Sequence, residues 1–97
     1  MERTAATATV QIDNDEVRVT CWDFPPGTET GWHRHAMNYV VVPTLSGTLQ
    51  METATGTTAS ELVAGQSYHR VQGAEHNVIN ASDARVQFVE IEFKQSA

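Results

Sequence analysis

The chain has one cysteine, Cys21, so no internal disulfide can brace it, and a reducing compartment suits it. Hydrophobic runs are short. None approaches the roughly 20 residues that a membrane-spanning helix needs, and the first residues carry no apolar signal segment. Together these absences lead to the expectation of a cytoplasmic protein with no membrane partner. Positive charge is scarce: 6 lysines and arginines stand against 12 aspartates and glutamates, a formal net charge of −6. That balance argues against a nucleic-acid partner, because phosphate binding draws on clustered basic side chains. Helix-period apolar patterning is missing too, so no helix longer than a turn is expected.

What the sequence does contain is strand-forming material. Threonine and valine are abundant, apolar and polar residues alternate, and glycine and proline punctuate. Strands are expected at Thr7 to Ile12, Glu16 to Phe24, Thr30 to His35, Tyr39 to Val42, Gly47 to Thr53, Thr57 to Val63, Ser67 to Val71, His76 to Asn80 and Arg85 to Phe93. Pro25-Pro26-Gly27 marks a turn, Pro43 is expected to stop the fourth strand, and Ala54-Thr55-Gly56 signals a hairpin. About nine short antiparallel strands with regular turns close as a barrel or a two-sheet jelly roll. The 97 residues suffice for one all-β domain over 1–97, with its core at about 16–93. The first few residues and Lys94 to Ala97 are expected to fray.

Chemistry enters with histidine. One stretch reads Gly27-Thr28-Glu29-Thr30-Gly31-Trp32-His33-Arg34-His35; another runs from Gly65 through Gly73-Ala74-Glu75-His76 to Asn80. His33 and His35 are two apart, so on a strand both leave the same face. With His76 from a neighbouring strand they could hold one metal ion. Interior histidines with hydrogen-bond partners are the bland alternative; three at this spacing favour ligation. His69 fits no such pattern and reads as a rim or surface residue.

These two stretches resemble the paired motifs of the cupin superfamily. The first motif is Gly, five residues, His-x-His, three or four residues, Glu, six residues, Gly; Gly27, His33 and His35 match it. The second is Gly, five residues, Pro-x-Gly, two residues, His, three residues, Asn; Gly65, Gly73, His76 and Asn80 match it. Val71 stands in place of the motif proline. The glutamate is absent, since Tyr39 and Val40 occupy the positions where it would fall. The resemblance implies a single-domain antiparallel jelly-roll β-barrel with a three-histidine metal site. The run His33 to Pro43 also looks like a subset of small bacterial cupins, some of them named for amino-acid breakdown.

Three neutral imidazoles would leave a bound divalent ion with its full charge and open positions for substrate. Iron is the first choice of metal, with zinc, manganese, nickel and copper also open. The leading expectation is a three-His iron dioxygenase acting on a small polar metabolite in an acid-poor pocket. The alternatives are a non-oxidative zinc or manganese lyase, isomerase or hydrolase, and a non-catalytic binding module. Tyr39 shares strand parity with the histidines and is the candidate catalytic residue. It is read first as a donor to bound substrate, then as packing, then as an acid or base whose pKa of about 10 the cation would lower.

The remaining residues receive plainer readings. Arg34 should point away from the metal, Glu75 should be a solvated charge, and Asn80 should bond backbone at a strand end. Asn38 could approach the pocket. Cys21 reads as a buried small hydrophobe, and Trp22 and Trp32 as packing residues, with Trp32 open to an interface role. In the last strand Val89, Ile91 and Phe93 form one apolar stripe, while Val86 and Phe88 lie on the other side. A strand apolar on both faces suggests cover from the core and from a partner subunit, hence a homodimer.

Overall fold

The computed structural model describes residues 3–94. Eleven strands are present among them: β1 (Thr4–Ala5), β2 (Thr7–Asp13), β3 (Val17–Phe24), β4 (Thr28–Glu29), β5 (His33–Arg34), β6 (Tyr39–Leu45), β7 (Gly47–Thr53), β8 (Gly56–Leu62), β9 (Tyr68–Arg70), β10 (Glu75–Ile79) and β11 (Val86–Phe93). There is no helix among the described residues, and so none long and apolar enough to cross a membrane. The strands build two sheets. One runs β1-β4-β10-β7-β8, with β5 also paired to β10; the other runs β2-β3-β11-β6-β9. All pairings are antiparallel except β1 with β4. The architecture is the all-β jelly roll expected, in its two-sheet form.

The longest ladder explains the layering. β3 and β11 pair over their whole lengths, from Val86 opposite Phe24 to Phe93 opposite Val17. Alternation sends Phe24, Trp22, Thr20 and Arg18 of β3 inward, beside Val86, Phe88, Glu90 and Glu92 of β11. This shared inward stripe changes character along its length. At the Val86 end it joins the apolar core, with Leu49, Leu62 and Val78 of the facing sheet. Phe24 and Phe88 stack there at 5.6 Å between centroids. At the Glu92 end it borders a cavity of about 560 Å³ between the sheets. The closed end is tightly filled: a Cβ added at Gly47 would lie 2.5 Å from Val86 Cγ2.

Several element bounds differ from expectation. β6 continues through Pro43 to Leu45. The ladder with β11 slips its register between Gln87 and Phe88, and an irregularity of that kind tolerates a residue that lacks an N–H. The expected strand from Thr30 to His35 shrinks to β5, because Gly31 at φ +88° turns the chain out of extended geometry. Fraying was expected at both ends. Thr4 and Ala5 instead pair with β4, and the Lys94 amide donates to the Glu16 carbonyl at 2.9 Å. Residues 1–2 and 95–97 lie outside the described part.

Candidate metal centre

The two histidine stretches meet as one ladder. His33 of β5 lies opposite His76 of β10. Beyond β5 the chain stays attached: the His35 amide donates to the Ala74 carbonyl at 2.8 Å, and the Gly73 amide donates to the His35 carbonyl at 2.7 Å. Backbone pairing alone therefore brings the three imidazoles together. His35 Nε2 lies 3.0 Å from His33 Nε2 and 3.1 Å from His76 Nε2. Imidazole nitrogens bind zinc at about 2.0–2.1 Å, so neighbouring ligands on a single ion stand about 3 Å apart. The donor set fits one metal ion.

The surroundings prepare these nitrogens for that role. His33 Nδ1 donates to the Gly31 carbonyl at 2.9 Å; a carbonyl has no proton to give, so Nε2 keeps its lone pair. Burial, followed by the charges of the neighbouring imidazoles, pushes His35 down to about 4. Burial, His33 and Arg70 push His76 down to about 4 as well. Both are neutral at pH 7, the form that ligates.

Asn77, not singled out in the sequence, holds the loop beneath His33. Its Oδ1 accepts from the Gly31 amide at 2.9 Å, and its Nδ2 donates to Glu29 at 2.9 Å and Glu52 at 3.0 Å. Thr30 Oγ1 sits 3.3 Å from His33 Nδ1 and accepts from the Val78 amide. The only sequence signal for Asn77 was its place beside His76.

Tyr39 stacks its ring on His35 with centroids 4.0 Å apart. Burial, then the nearby Glu90 carboxyl, pushes its phenol up to about 12. In the protein alone Tyr39 is thus a firmly protonated group that fixes the plane of His35. A bound cation would act against that upward shift.

The facing wall overturns the expectation of an acid-poor pocket. Glu90 and Glu92 of β11 are buried, and a carboxylate oxygen of each lies within 4.8 Å of a ring nitrogen of His35. Arg18 Nε donates to Glu92 at 3.0 Å. Burial first, and Glu92 second, push the Glu90 carboxyl up to about 7, against the pull of Arg18 and a hydrogen bond from Trp22. The signal for these residues was parity, since they alternate in step with Val86 and Phe88. The apolar stripe Val89, Ile91 and Phe93 concealed it by looking like the core side.

His69 is exposed and alternates with Tyr68 and Arg70, which line the cavity, so it faces outward. Arg34 is exposed at the edge of the cavity, and Glu75 is exposed opposite it. Asn38 accepts from the Gln72 amide at 2.8 Å and does not line the cavity. Asn80 is fully buried and donates to the Phe24 and Ala84 carbonyls, as a strand-end bracket should. Trp22 packs near Phe24, with ring centroids 6.1 Å apart. Trp32 is 58% exposed and is not a packing residue within the chain. Cys21 is half-buried on the outer face of its sheet, and not in the core.

Comparison with known proteins agrees with this fold. The cupin domain family matches residues 20–92. A relative from Pseudomonas aeruginosa, named beta-alanine degradation protein BauB, is 59% identical over 92 residues, covering 95% of this chain and 97% of its own. A crystal structure of a cupin domain from Bordetella pertussis is 59% identical, with a TM-score of 0.95 over 98% of this chain and 99% of that one. A Klebsiella pneumoniae protein with a double-stranded β-helix domain shares the fold at 21% identity and a TM-score of 0.75, covering 96% of this chain and 80% of its own. With its paired histidine ladder, its two-sheet jelly roll and this family match, the chain belongs to the cupin family.

Proposed function

We propose that this cupin is a metal-dependent enzyme of small-metabolite breakdown, holding one divalent transition metal on His33, His35 and His76. The observation that carries the reading is the approach of three Nε2 atoms to 3.0 and 3.1 Å at the wall of a cavity of about 560 Å³. That volume suits a metabolite of a few heavy atoms together with solvent. The name of the Pseudomonas relative supports a short amino acid, or a product of its breakdown, as substrate.

Iron is the first choice of metal and an oxygen-dependent reaction the first choice of chemistry. A bound ion would supply Lewis-acid activation and, as iron, access to O₂. The chain's own residues perform the rest. Tyr39 holds the plane of His35, and Trp22, Val41 and Phe88 give the cavity an apolar wall. Arg70 offers positive charge to a carboxylate on the substrate. Oxygen consumption by iron-loaded protein given β-alanine and related three-carbon acids tests the reading. Turnover that persists without O₂, or purified protein that takes up no iron, would refute it.

One observation favours a second reading, a non-oxidative zinc or manganese lyase or isomerase. Glu90, held near neutrality at about 7, is suited to carry a proton in the pocket. Zinc-loaded protein that turns over anaerobically and loses turnover in Glu90→Gln would select it. The reading also includes a homodimer, supported by the apolar outer face of the β2-β3-β11-β6-β9 sheet.

A further inference from the structure

We propose that Glu90 is the carboxylate of this metal centre, supplying negative charge to the histidine trio from the opposite sheet. The proposal rests on the reading of His33, His35 and His76 as metal ligands. Its starting point is a buried carboxyl group that forms no ion pair. Glu90 is only 8% exposed. Buried carboxylates are paired with a cation or coordinate one. The neighbouring Glu92 is already engaged by Arg18 at 3.0 Å. Among the described residues, Glu90 takes part in no salt bridge.

The place where a cation belongs is close by. A ring nitrogen of His35 and carboxylate oxygens of Glu90 and Glu92 lie within 4.8 Å of one another, and all three residues are buried. The same His35 brings its Nε2 to both other histidines. Imidazole ligands bring no charge, so a divalent ion held there keeps its full charge. Glu90 is the carboxylate near it with no cation of its own. β11 runs in the middle of its sheet, so the group is held on a rigid strand. Metal and carboxylate thus answer each other's unpaired charge across the space between the sheets.

The test is metal affinity, read by competition with a chromophoric chelator for Fe²⁺, Mn²⁺ and Zn²⁺. It compares the wild type with Glu90→Gln, Glu90→Asp and Glu92→Gln. Thermal melts of the metal-free proteins report folding. Glu90→Gln should weaken binding by about 10–100-fold, the usual effect of removing a group that supports a metal's ligands. Glu90→Asp should retain more affinity than Glu90→Gln, because it keeps the charge. Glu92→Gln should cost less than Glu90→Gln. Wild-type affinity in Glu90→Gln would overturn the proposal while leaving the histidine centre intact, with Glu90 then free to meet a cationic substrate. A wild type that binds none of the three metals would overturn the histidine centre and this proposal with it.

Discussion

Asn77 touches no cavity, yet His33 depends on it. Its carboxamide holds the Gly31 amide, and the Gly31 carbonyl fixes the His33 ring. Asn77→Ala frees that loop while leaving all three histidines in place. It should lower zinc affinity about tenfold or more, as loss of an outer hydrogen bond to a ligand does. Calorimetric titration checks this, and an unchanged affinity would mean that β10 alone positions the centre. Ionisation offers a second residue-level prediction, for the metal-free protein. His35 and His76 are depressed to about 4 from an ordinary 6.5. The unfolded chain then binds more protons between those values, so their contribution to stability is present above about 6.5 and lost as pH falls toward about 4. Glu90 works the other way, raised to about 7 from 4.5. Its contribution is full below about 4.5 and lost as pH rises through about 7. Glu90→Gln should therefore melt above the wild type at pH 8, and the gap should shrink by pH 5. A gap that does not change with pH would show that Glu90 folds without an ionisation cost.

At the scale of elements, the closed end of the jelly roll turns on one close approach. Gly47 opens β7 against Val86, which is fully buried on β11. Gly47→Ala forces a methyl into occupied space and should cost about 1–3 kcal/mol of stability in urea unfolding. Val86→Ala in the same chain should recover part of that loss, because it vacates the clashing atom. The strands themselves were legible from alternation, and the histidine trio from spacing. β1, β4 and the passage of β6 through Pro43 were not, because two-residue pairings and register slips leave no periodic trace. Glu90 and Glu92 went unnoticed for a different reason. β11 has two candidate inner faces, and the one with more hydrophobes, Val89, Ile91 and Phe93, turned out to be the outer one. An apolar outer face and a charged inner one invert the usual rule, and only pairing with Arg18 and Thr20 of β3 reveals it.

That outer face matters for the molecule as a whole. Val19, Val40, Val42, Val89 and Ile91 share it across three adjacent strands, with Ile12 at 47% exposed beside them. This apolar face supports the proposed homodimer. Light scattering should give a particle of twice the 10.7 kDa chain mass. Val89→Glu should shift it to the monomer without loss of folding, and a wild type that is monomeric at micromolar concentration would reject the dimer. The imidazoles grow from one sheet and the carboxylates from the other. The reach between them accordingly depends on how far the apolar wedge at the Phe24 and Val86 end props the halves apart, as the pivot of a pair of tongs sets the gap at its tips. Altering the bulk of that distant wedge should change the affinity for the proposed ion without touching any of its candidate ligands.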